Sequence, residues 1–173
     1  DAYPTSYSAA HSRSAHWFGI FLIAMALINF GRNSVVIIQA QYLFLDTGFA
    51  VTSRTLSTIV NTESIAMILS GLAVGGIVLR IGNGPSVLLG TVLGVAYLLL
   101  FATTSHLGLI YVGSFLKGCA ESIIVASSYA FASVLIPAAQ RGRRFGLFNA
   151  TFFLSWGLAG TLVAGPLVDV LLH

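Results

Sequence analysis

The sequence predicts an all-α integral membrane protein, a multi-span helical bundle, and three observations carry that prediction. Apolar residues make up 57% of the 173 residues and charged residues 8%, and mean hydropathy is +0.93, far from the balance of a soluble domain. Five apolar runs follow one another, each near the roughly 20 residues a helix needs to cross the hydrocarbon. The breaks between them carry Gly, Pro, Asn, Asp, Ser and His, the chemistry of turns and helix ends.

The elements follow in order. Residues 1–14 are polar, with neither an initiator Met nor the apolar core of a signal peptide, and are expected to form a cytoplasmic segment ahead of a bundle spanning residues 15–173. The chain therefore reads as a fragment, a processed product or half of something longer. The spans are expected at about residues 17–43, 55–79, 86–104, 109–136 and 145–172, with breaks at Asp46-Thr47-Gly48, Gly82-Asn83-Gly84-Pro85, Ser105-His106 and Pro137 to Arg144. With the N-terminus inside, Arg13, Arg80, Arg141, Arg143 and Arg144 fall on the cytoplasmic side and Arg54 outside, which the positive-inside bias favours. This orientation leaves the C-terminus outside after an odd number of crossings, so a sixth span is expected elsewhere. A multi-pass location in a plasma or inner membrane follows.

The third run carries no charge and contains Gly90-x-x-x-Gly94, which suits close packing and a peripheral position. Gly71-x-x-x-Gly75 and Ser114-x-x-x-Gly118 allow the same approach in the second and fourth. Cys119 stands alone and cannot form an internal disulfide.

Charge within the runs is the functional signal. Arg32, Glu63, Lys117 and Glu121 lie inside apolar stretches, where ionisable groups are expensive and face a protein interior or an aqueous cavity. At 100° per residue, Asn29, Arg32 and Gln39 share one side of the first span, and Ser114, Lys117, Glu121 and Ser128 share one side of the fourth. Glu63 and Ser70 align on the second. By the helical rise, Arg32 lies roughly 20 Å from the inner end of its helix and the other three charges roughly 10–20 Å from the outer ends of theirs, one slab of the bilayer. Arg32 with Glu63 or Glu121, and Lys117 with Glu121 or Glu63, are feasible ion pairs, and spacing does not choose among them. These eight residues, Asn29, Arg32, Gln39, Glu63, Ser114, Lys117, Glu121 and Ser128, are the candidate substrate or ion pathway. The plainer reading is a static network that fixes helix register; buried pairs are poor stabilisers, which favours the pathway. Glu63 and Glu121 can exchange protons in response to a partner or to water. Arg32 stays charged and suits an anionic group.

Other chemistries find no support. The histidines His11, His16, His106 and His173 lie at run ends or in the terminus, so no metal site or cofactor is expected. Phosphate-loop and potassium-filter patterns are absent, no nucleophile and base can meet, and an enzyme is not expected. A formal charge of +3 reflects membrane topology, and no nucleic-acid partner is expected.

Two loops resemble those of the major facilitator superfamily. The stretch Gly75-Gly-Ile-Val-Leu-Arg-Ile-Gly82-Asn-Gly is similar to the family's link between the second and third helices of each half, a pattern of Gly, two apolar residues, Asp, Arg, any residue, Gly and two bases. Gly75, Arg80 and Gly82 match, whereas Leu79 replaces the acid and Asn83 and Gly84 replace the bases, as in the degenerate copy of the family's second half. The stretch Pro137 to Gly146, with Arg141, Arg143 and Arg144, followed by Asn149, Gly157, Gly160 and Gly165-Pro166, resembles the family's passage from fourth to fifth helix, an Arg-Gly pair entering a glycine-rich helix that ends near Gly-Pro. The resemblance implies half of a major facilitator-type fold, helices seven to eleven by family position. It also implies a complementary six-helix half in the same or another chain, and a cavity between the halves lined by the first and fourth helices of each. Those are the spans with the longer polar stripes. The implied function is secondary transport of a small solute, an anionic one if Arg32 binds it, by alternating access, with proton coupling through Glu121 or Glu63. The rival is a non-transporting membrane subunit that assembles or stabilises a larger complex.

Overall fold

A computed structural model describes residues 5–45, 48–166 and 170. The helices are α1 (Thr5–Phe44), α2 (Ser53–Ile81), α3 (Asn83–Thr103), α4 (Leu107–Leu135) and α5 (Arg141–Ala159). A 3-10 turn (Ala138–Gln140) precedes α5, and a π-helical segment (Gly160–Ala164) continues it. No strand occurs among the described residues, and five helices are long and apolar enough to cross a membrane. The expected positions Asp1 to Pro4, Asp46, Thr47, 167–169 and 171–172 lie outside the described residues. Where the sequence suggests that the first span begins near Trp17, α1 already runs from Thr5.

The chain divides into two compact units, one of α1 up to Gln41 with the chain from Ala132 onward, the other of Tyr42–Phe131. Both have apolar exteriors. Leu72, Leu79, Ile68, Leu27, Val134 and Phe153 are all exposed, as side chains facing lipid tails should be.

In the unit of Tyr42–Phe131, Leu43, Ile59 and Ile110 form a buried cluster with Phe49, Val51, Leu56, Phe101 and Tyr111 packed around it. Tyr42 meets Phe49 and Phe101 edge-on. The contacts fix helix directions. Thr58 bonds Tyr111 at 2.7 Å, Glu63 meets Lys117 and Gly71 faces Ser122, so α2 and α4 run parallel. Gly90 lies against Ala120 and Ile124 while Gly113 lies against Tyr97, so α3 runs antiparallel to α4.

Close approach depends on particular glycines. A Cβ at Gly90 would lie 2.7 Å from Ile124 Cγ1 and 3.1 Å from the Ala120 carbonyl oxygen, and one at Gly118 would strike the Glu63 carbonyl and come within 2.8 Å of the Ala66 Cβ. Gly75, by contrast, has nothing within 4 Å. Of the three small-residue spacings in the sequence, Gly71-x-x-x-Gly75 therefore uses only its first member.

The expected four-residue break between the second and third spans contracts to one residue. Gly82 has φ 87° and ψ 168°, a region open to glycine and essentially closed to other residues. Its N–H donates to the Val78 carbonyl at 2.8 Å, while its own carbonyl accepts the Ser86 hydroxyl at 2.6 Å. Pro85 falls in the first turn of α3, where its missing N–H costs nothing.

In the other unit, α1 and α5 run parallel. Phe21 stacks on Phe148 with ring centroids 5.7 Å apart, and Gly160 approaches Ile37. The π-helical segment sits just ahead of Gly165-Pro166, and the Gly165 N–H donates to the Gly160 carbonyl. The wider turn accommodates a proline that would otherwise collide with the carbonyl four residues back.

Candidate functional site

Helix α4 places its polar stripe inside the unit of Tyr42–Phe131. Ser114, Lys117 and Ser128 are buried and Glu121 is half-buried. The parallel run of α2 against α4, brought close by Gly118, puts Glu63 opposite Lys117. The Lys117 Nζ donates to Glu63 Oε2 at 2.8 Å, with the two side chains 8% and 17% exposed. This is one of the pairings open to Lys117 in the sequence. Glu121, one turn further along α4, stands close enough to Glu63 for the two carboxyls to feel each other's charge. Two carboxyls and one ammonium thus lie together, largely buried, where α2 meets α4.

The third wall is aromatic. Tyr97 of α3 is 4% exposed, and the Lys117 Nζ lies 5.9 Å from its ring centroid, within the range of cation–π attraction. Sequence reasoning missed this residue because α3 carries no charge; the one Tyr of that uncharged helix was the available signal. Although much of α3 faces lipid, it is a wall of the charged cluster as well as a peripheral helix.

Hydroxyls separate into two groups. Ser70, aligned with Glu63 in sequence, spends its hydroxyl on its own helix, donating to the Ala66 carbonyl at 2.6 Å, as do Ser34, Thr91 and Ser155 with the carbonyls four residues earlier. Ser114 and Ser127 are fully buried, yet their oxygens have no hydrogen-bond partner among the described residues. Such groups carry a desolvation cost unless something fills them. Ser127 was not singled out in sequence because its neighbour Ser128 aligns better with Lys117.

Arg32 belongs to the other unit. Its guanidinium lies over the Phe152 ring of α5 at 5.6 Å from the centroid. Asn29 and Gln39 are buried, as sharing its helix side suggests, and so is Asn33. Asn29 Oδ1 and Asn33 Nδ2 have no partner among the described residues. The i, i+4 spacing of these two asparagines, adjacent on one helix face, could have flagged Asn33.

The loop residues lie apart from the charged cluster in sequence. Arg80 is exposed in the last turn of α2, where a cation suits the helix dipole, and Gly82 makes the link to α3. Arg141 and Arg143 are exposed, while Arg144 lies over the Phe18 ring at 5.2 Å. Gly165 and Pro166 follow the π-helical segment. Among the described residues no group of three or more His, Cys, Asp or Glu could hold a metal ion.

No curated protein compared with the chain matches it. The family model described as the Major Facilitator Superfamily matches residues 17–171, a stretch that takes in the membrane-length parts of all five helices. Five spanning helices, the small-residue contacts between them and that match make this chain an integral, multi-pass member of the Major Facilitator Superfamily, a family of membrane transporters.

Proposed function

We propose that the chain is part of a secondary transporter that moves a small solute by alternating access, corresponds to the family's C-terminal half, and works against a complementary six-helix bundle in the same or another chain. The observation that carries the reading is the Glu63–Lys117–Glu121 cluster. Lys117 neutralises one carboxylate. Two carboxyls face one ammonium, so the cluster is neutral with one proton bound and carries one negative charge without it. Loading and unloading that proton as the surroundings turn from dry to wet is the step a coupled transporter needs. Ser114 and Ser128 extend the polar face along α4. Arg32, flanked by Asn29 and Gln39, is the proposed contact for an anionic solute, because a guanidinium remains charged and offers a planar fork to a carboxylate or phosphate. Gly75, Arg80, Gly82, Arg141, Arg143, Arg144, Gly165 and Pro166 are the proposed conformational loops.

The test is proton movement. Purified protein in lightly buffered vesicles is screened with small organic anions for solute-driven alkalinisation of the medium. Glu121→Gln should abolish that signal and accumulation while solute exchange persists. A well-folded Glu121→Gln protein that accumulates solute normally would remove this residue as the coupling acid and leave Glu63.

The N-terminus is proposed to face the cytoplasm of a plasma or inner membrane, supported by the arginine distribution. With Cys119 replaced, cysteines at Gly84 and Gln140 should resist an impermeant thiol reagent in intact cells and one at Ser105 should react. Strong external labelling at Gly84 reverses the orientation.

A further inference from the structure

In the unit that holds α1 and α5, a cleft of about 550 Å³ opens at the start of α5, lined by Phe18, Gln140, Arg143, Arg144, Gly146, Leu147 and Ala150. Its volume falls within the range of small-ligand sites. Its wall divides by chemistry: two guanidiniums and an amide on one part, Phe18, Leu147 and Ala150 on the other.

Charge balance gives the cleft its meaning. The chain's five acids are Asp1, Asp46, Glu63, Glu121 and Asp169, so residues 16–41 and 132–166 contain none while carrying Arg32, Arg141, Arg143 and Arg144. Arg144 is held by its ring contact with Phe18, and its Nη1 is buried with no hydrogen-bond partner among the described residues. Gln140 provides no side-chain cap for the first turn of α5. At Gly146 a Cβ would meet nothing within 4 Å, so the floor of the cleft is open.

We infer that this cleft is a binding site for a phosphate-bearing anion, held by the Arg143 and Arg144 guanidiniums as charge-assisted hydrogen-bond donors. The phosphate belongs either to a lipid headgroup, whose glycerol and first methylenes would lie on Phe18, Leu147 and Ala150, or to a soluble phosphate compound. None of its lining residues belongs to the proposed solute pathway, and it does not depend on transport or on orientation.

The test uses the full chain in nanodiscs of phosphatidylcholine, with or without added phosphatidylglycerol, followed by native mass spectrometry of retained lipid and by thermal unfolding with inorganic phosphate. Retention of phosphatidylglycerol over phosphatidylcholine identifies the headgroup as the source. Stabilisation by inorganic phosphate in phosphatidylcholine alone identifies the soluble anion. In either arm, Arg143→Gln with Arg144→Gln should weaken binding about tenfold or more, the loss expected when two charge-assisted contacts go. Gly146→Leu should weaken it comparably by filling the cleft, with no change of charge and no backbone clash. Arg141→Gln, at an exposed base that does not line the cleft, should change it little. Equal losses from Arg141→Gln would show diffuse surface attraction and overturn the site. So would unchanged binding in Gly146→Leu, or no phosphate-dependent signal in either arm.

Discussion

Lys117→Met should lower stability by about 3–5 kcal/mol, the cost of removing one member of a buried ion pair. The ammonium lies 2.8 Å from Glu63 and Glu121 is near enough for its charge to act on that carboxyl, so the variant leaves two largely buried acids without this cation. Methionine keeps the length of the stem and its contact with Tyr97, which separates the charge from the packing. The companion variant, Lys117→Met with Glu63→Gln, removes the orphaned charge and should recover most of the loss, because a buried pair replaced as a unit is close to neutral. Thermal unfolding midpoints and the monodisperse fraction in detergent measure both. If Lys117→Met unfolds at the wild-type temperature, water reaches Glu63 and the ion pair does not hold the fold together.

Gly118→Val should be nearly as damaging, with a loss of about 3 kcal/mol, at the upper end of overpacking costs. A Cβ at that position meets the Glu63 backbone carbonyl and the Ala66 Cβ, and neither is a flexible side-chain end that can swing aside. Helices α2 and α4 would have to separate, which would also lengthen the Lys117–Glu63 bond. Small residues are what allow helices in lipid to gain van der Waals contact, since no hydrophobic force drives them together there. Gly75→Ala is the control: the site is open, alanine is the better helix former, and stability should hold or rise slightly. Equal losses from the two substitutions would mean that α2 and α4 are not in the contact described. The readouts are unfolding temperature and retention of the folded species after detergent extraction.

Much of this architecture is legible in the chain itself. Hydrocarbon thickness imposes a length that α2, α3 and α4 meet, and a charge inside an apolar run can be read without any neighbour in view. What one sequence does not encode is which neighbour answers it. Lys117 has an acid four residues away on its own helix, and periodicity alone gives Glu121 and Glu63 equal claim. The contact with Glu63 depends on how closely α2 approaches α4, and that is set by the missing side chain at Gly118. Tyr97 was hidden for the same reason, its role arising from the antiparallel register of α3 and not from any pattern within it. Gly75 shows the opposite case, a glycine whose spacing suggests a contact that the helix faces away from. Turn chemistry locates the break at Gly82 but suggests four residues where the chain uses one, because a single glycine-only conformation makes the turn.

That link has a mechanical consequence. With one residue between Ile81 and Asn83, the hairpin of α2 and α3 has no slack, and a tilt of one helix is delivered to the other almost undiminished. Gly90 and Gly118 lock both helices against α4 at distances that leave no room to slide. The three are therefore mechanically coupled, so that a shift of α4 would carry α2 and α3 with it.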